Sequence, residues 1–173
     1  MDFVKHSPSA DRCLDISGGG GNLVKFCTRH VERHKKFHAN PLQQPVIVIV
    51  DNDKQSEGMW TFVKQETGSS KKIVGSEPCY KVSDNLYIVP IPKPTGVRGD
   101  VYIEMLFPKA WQTYELDGRK PKLVQKKGEK LQANEYGKGE FAGKIIRANR
   151  GKVDCGAFRP LLHTICDIVE KKV

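Results

Sequence analysis

The chain has 173 residues, 38% of them apolar, and 29 Lys and Arg against 20 Asp and Glu give a net charge of +9 at pH 7. That length suits one globular domain, and the run Pro45-Val46-Ile47-Val48-Ile49-Val50 demands burial, which excludes a disordered polar chain. No apolar stretch approaches the roughly 20 residues of a membrane span. Met1 to His6 has no apolar signal core. Cys13, Cys27, Cys79, Cys155 and Cys166 are odd in number and lack CxxC spacing. They read as free thiols of a reducing compartment, so a cytoplasmic protein with no membrane association is expected.

In chain order, residues 12–16 predict a short strand running into Ser17 and the glycines Gly18 to Gly21. Leu23, Val24, Phe26, Cys27 and Val31 follow at helical spacing. The glycines suit a tight strand-to-helix turn or a phosphate cradle at a helix N-terminus. His30, His34 and His38 share a helix face with Arg29, Arg33, Lys35 and Lys36, which favours a solvated basic face over a metal site. Residues 46–50 are β-branched throughout, the signature of a strand buried on both faces of a parallel sheet. A helix is predicted over 57–66 and a third strand over 86–91, with a short extended piece at Ile73-Val74. Strand, helix, strand in that order predicts an α/β fold, a mainly parallel sheet flanked by helices.

The second half changes character. Residues 114–124 predict a hairpin or an extended excursion around Asp117-Gly118. A helix over 138–149 carries Phe141, Ala142, Ile145 and Ile146. In the last helix Asp154 is placed as the cap, Phe158, Leu161, Leu162, Ile165 and Val169 as one apolar face, and His163 as a packed histidine. The expected organisation is a single domain over 1–173, with an α/β core to residue 112 and a basic C-terminal helical subregion from 113.

Asp51-Asn52-Asp53 follows the predicted buried strand directly. Parallel sheets place ligands beyond the carboxyl ends of their strands, and residues two apart in an extended segment point the same way. Asp51 and Asp53 therefore suit one hard cation such as Mg²⁺ or Mn²⁺, which takes oxygen ligands. Asp100 and Glu104 share a face whether helical or extended and fall shortly after the third strand. With Asp51 and Asp53 they would surround one or two metals, as phosphodiester cleavage requires. Residues 119–152 hold eleven cations against Glu129, Glu135 and Glu140, a balance of +8. Charge so concentrated favours a phosphate backbone as partner. Lys126, Lys127, Lys138, Lys144, Arg147 and Arg150 are the candidate contacts, with Tyr136 to stack on a base.

These features together resemble a Toprim domain, the metal-binding fold of topoisomerases, primases and OLD-family nucleases. The likeness is carried by 45–53 with its DxD and by Gly58 downstream. Three further stretches, 14–23, 102–108 and 136–142, with Phe158-Arg159-Pro160-Leu161-Leu162, resemble the Toprim-like C-terminal region fused to some retron reverse transcriptases. The resemblance implies a Toprim-like (Rossmann-like) sheet and a metal-dependent nuclease serving as the toxic effector of a bacterial anti-phage system. Its partners would be the reverse transcriptase and its multicopy DNA–RNA hybrid (msDNA), with a homo-oligomer left open. Asp51 and Asp53 would bind the metal, Glu104 would support it, and Lys138 would face the scissile phosphate. The family's first-strand Glu has no counterpart before Gly18, where the first Glu of the chain is Glu32. The resemblance therefore implies the latter part of a longer protein. A catalytically silent nucleic-acid-binding or assembly module and a haloacid-dehalogenase-type phosphatase are the alternative readings.

Overall fold

The computed structural model describes residues 20–36, 44–124 and 128–172. The predicted strand at 12–16, Gly18, Gly19, His38, Cys13, Lys126 and Lys127 lie outside them. The chain divides into two compact units. One comprises residues 1–93, 97–101 and 161–173, the other residues 94–96 and 102–160.

In the first unit, α1 (Gly20–Lys36) is followed by β1 (Val46–Val50), a 3₁₀ turn at Lys54–Ser56 and α2 (Glu57–Thr67). Then come β2 (Tyr80–Lys81) and β3 (Leu86–Pro90). The sheet order is β1-β3-β2, with β1 and β3 parallel from Val46 opposite Leu86 to Val50 opposite Pro90. The strand-helix-strand order over 46–90 is thus as expected, and the fold of the unit is α/β. Cys27 and Val31 of α1 and Met59, Trp60, Phe62 and Val63 of α2 pack with Val48, Val50, Leu86 and Ile88 into one core. Burying side chains of this size stabilises by about 1.5–3 kcal/mol each.

Three expectations change here. β3 is the strand buried at every position, whereas Val46, Ile47 and Ile49 of β1 are only partly buried. Among the described residues β1 pairs with β3 alone. Ile73-Val74 is not a strand, and the extra strand is β2, antiparallel to β3. Pro90 ends the central strand without cost because β2 pairs only as far as Ile88, so no donor is wanted at Pro90 on that side.

In the second unit a 3₁₀ turn at Ile103–Leu106 leads to the short α3 (Lys109–Gln112). Asp117 and Gly118 both adopt positive φ, 53° and 73°, and Leu116 and Arg119 exchange backbone hydrogen bonds of 3.0 and 2.9 Å around them. That is the tight turn expected of an Asp-Gly pair. The strand after it does not complete the hairpin: β4 (Lys120–Pro121) pairs in parallel with β5 (Glu135–Tyr136). The predicted helix over 138–149 is a single α turn, α4 (Lys138–Glu140), continuing as a π-helix over Phe141–Ile146. Tyr136, Phe141 and Ile145 form the unit's buried cluster, flanked by Phe107, Trp111, Leu116, Leu123 and Ile146.

The last helix, α5, spans Arg159–Val169. Asp154 does not cap it; Asp154 Oδ1 instead accepts from Gly156 N at 2.8 Å, ahead of the 3₁₀ turn Gly156–Phe158. The buried stripe is Leu161, Ile165 and Ile168, and Leu162 and Val169 are 48% and 51% exposed. His163 is exposed rather than packed, because it neighbours Leu162 away from that stripe.

Candidate functional site

The segment after β1 alternates. Asn52 is 5% exposed, while Asp51 and Asp53 on either side are partly exposed. Asn52 exchanges backbone hydrogen bonds with Val101 (2.7 and 2.9 Å), and its Nδ2 donates to the Gly75 carbonyl at 2.8 Å. Asn52 is thus pinned on both its backbone and its side chain, which fixes the segment that carries the two acids. Asp53 is also a cap. Its Oδ1 accepts from Ser56 N and from Ser56 Oγ, each at 3.0 Å, closing the 3₁₀ turn that leads into α2. The Ser56 hydroxyl also donates to the Asp51 carbonyl, so the turn is tied at both acids.

Beyond the carboxyl ends of β1 and β3 lies an open cleft of about 560 Å³. Asp53 and Lys54 enter it from the segment after β1, Glu57, Thr61 and Lys64 from α2, and Lys93 and Asp100 from the chain after β3. Lys72, Ile73 and Val74 complete its wall, with Trp60. Glu57, Thr61 and Lys64 are at i, i+4 and i+7 and so line one helix face. Asp53 and Asp100 thus share this cleft, and Asp51 is not part of its lining. Among the described residues, no three His, Cys, Asp or Glu side chains come together as a metal-holding group.

Glu104 and Lys138 belong to the second unit and are brought together there. Lys138 Nζ donates to Glu104 Oε2 at 2.9 Å and lies 5.6 Å from the centre of the Tyr102 ring. Glu104 is only 7% exposed, so its charge is compensated by this ammonium. Two residues expected to act separately, on a metal and on a phosphate, are a pair. No family model and no solved structure matches the chain.

The basic segment is less uniformly available than its sequence implies. Arg119 makes a two-pronged contact with Glu140 (3.0 and 2.9 Å), and Lys144 reaches the same carboxylate at 2.9 Å. Together they pull the Glu140 carboxyl down to about 2, the Arg119 hydrogen bond being the larger cause. Lys122 bridges Glu129 (2.6 Å) and Glu135 (3.4 Å). Arg147 and Arg150 are exposed. Tyr136 is fully buried with its hydroxyl donating to the Tyr114 carbonyl, so it cannot stack on a base.

The cleft lysines Lys54, Lys64, Lys72 and Lys93 are not among the residues expected from sequence. They are scattered over 40 positions and make no charge run. Lys54 and Lys93 did carry a usable signal, each standing just after the end of a parallel strand. His30, expected on a solvated face, is partly buried and its Nε2 lies 3.0 Å from Asn85 Oδ1.

Proposed function

We propose that the chain is a metal-dependent phosphodiesterase acting on nucleic acid, with the cleft beyond β1 and β3 as its reacting centre. One observation carries this reading: carboxylates and lysines line the same cleft at the carboxyl ends of two parallel strands. Lysines alone would make an anion site. Asp53, Glu57 and Asp100 in the same wall would repel a phosphate unless a cation lies between.

Asp53, with Asp51 two residues before it and Asp100 in the same cleft, would hold Mg²⁺ or Mn²⁺. Asp53 uses Oδ1 for its cap, so Oδ2 would take the ion. Mg²⁺ is commonly held by one or two carboxylates, with waters and substrate phosphates completing its shell. Such an ion supplies Lewis-acid charge at a phosphoryl oxygen. Lys54 and Lys93 would hold the phosphate, and the capped turn keeps Asp53 in place before it arrives. In the second unit Lys144, Arg147 and Arg150 would contact the backbone, and Glu104 would position Lys138 for the same purpose. The Toprim-like stretches support the narrower reading of a bacterial anti-phage effector partnered by a retron reverse transcriptase and its msDNA.

Labelled RNA and DNA incubated with the chain should yield products with Mg²⁺ and none with EDTA. The lysines of the cleft and the exposed Arg147 and Arg150 favour one second reading, a silent binder. That reading predicts salt-sensitive binding without product. Hydrolysis of p-nitrophenyl phosphate with intact polymer would instead indicate a phosphatase.

A further inference from the structure

We infer that the cleft takes a single phosphorylated nucleotide unit, its phosphate among the lysines and its base against the wall formed by Ile73 and Val74. The inference rests on the proposed use of that cleft and names what occupies it. Volume is the first argument: about 560 Å³ lies within the roughly 300–1,000 Å³ of small-molecule pockets.

Chemistry is the second. Four lysines line the cleft against Asp53, Glu57 and Asp100, a charged lining that suits an anionic ligand carried with a cation and not an apolar one. Val74 is 45% exposed, while its neighbour Ile73 packs against the core of the first unit. An apolar wall facing water is of no use to inorganic phosphate. Trp60 also lines the cleft and is nearly buried, which adds an aromatic edge to that side. A ligand with a flat apolar ring and an anionic group satisfies both halves, and a nucleotide is that ligand. The shared chemistry belongs equally to a free nucleoside monophosphate and to the 5′-phosphorylated end of a strand.

The test is a titration of the full chain with AMP, adenosine and inorganic phosphate in Mg²⁺, read by calorimetry. A Trp111→Phe variant repeats it by fluorescence, leaving Trp60 as the sole tryptophan. Saturable binding of AMP is expected, at least tenfold tighter than adenosine or phosphate. Lys72→Ala and Lys93→Ala should each weaken AMP at least fivefold, and Val74→Asp should erase the preference of AMP over phosphate. A 5′-phosphorylated dinucleotide binding more tightly than AMP would assign the strand end as source, and the reverse order the free nucleotide. Equal affinity for AMP and phosphate, or no saturable signal from either readout, would overturn the inference. Failure of polymer cleavage leaves these affinities untouched, so the two readings fail separately.

Discussion

At the scale of single residues, Asn52 does more than separate two acids. Its side chain ties the end of β1 to Gly75, and Gly75 sits at φ +66° with no room for a side chain. A Cβ there would lie 2.8 Å from Trp60 Cζ2 and 2.9 Å from Asn52 Oδ1. Gly75→Ala should therefore cost about 1–3 kcal/mol through overpacking and backbone strain. Urea denaturation should show a lower midpoint with an unchanged slope; a midpoint equal to that of the parent would mean the contact is soft. Cys27 is the other residue with a defined chemical expectation. Burial pushes its thiol up to about 12, whereas Cys155 and Cys166 are exposed. Because the thiolate is the reactive form, iodoacetamide at pH 8 should label Cys155 and Cys166 long before Cys27 by mass spectrometry. Early labelling of Cys27 would show that the α1 side of the core opens readily.

Among elements, the legible ones were those with enough length to show a period. β1, α2 and β3 came through because several apolar side chains repeat in each, and the Asp117-Gly118 turn because both residues accept positive φ. β2, β4 and β5 have two residues each and carry no period to read. The π-helix over Phe141–Ile146 buries Phe141 and Ile145 as an α-helix would, so its wider turn leaves no trace in the apolar pattern. This element also has a pH dependence of known sign. The folded Glu140 carboxyl titrates at about 2, below its ordinary 4.5. A depressed value stabilises the fold above the unfolded pKa, and that contribution disappears as pH falls from 4.5 towards 2. Thermal midpoints of the parent should thus fall more steeply over that window than those of Glu140→Gln. Parallel profiles would show that the Arg119–Glu140–Lys144 group does not support the unit.

For the molecule as a whole, the concentrated charge of residues 119–152 separates, among the described residues, into two populations. Arg119, Lys122, Lys138 and Lys144 are engaged by carboxylates, while Lys120, Lys130, Arg147, Arg150 and Lys152 are exposed and have no salt bridge to a described Asp or Glu. Single-strand binding gains roughly 0.7 in salt slope for each phosphate neutralised. The double variant Arg147→Ala, Arg150→Ala should lower affinity for single-stranded RNA or DNA and flatten the salt slope by about 1–1.5. An unchanged slope would place the nucleic acid elsewhere. The acids after β1 were legible in the sequence, because strand ends are readable. The cleft was not, since its lysines meet only once α2 and the chain after β3 are folded beside them.

The cleavage proposed for the cleft depends on Asp53 serving a reacting centre and not merely a turn. Asp53→Asn separates these roles, since asparagine caps as well as aspartate while losing the charge. Cleavage of labelled RNA and DNA should be measured with Mg²⁺ for this variant and the parent, beside their thermal midpoints. A reacting centre at Asp53 predicts at least a hundredfold loss of cleavage with a midpoint close to the parent's. Parental cleavage by Asp53→Asn would contradict it.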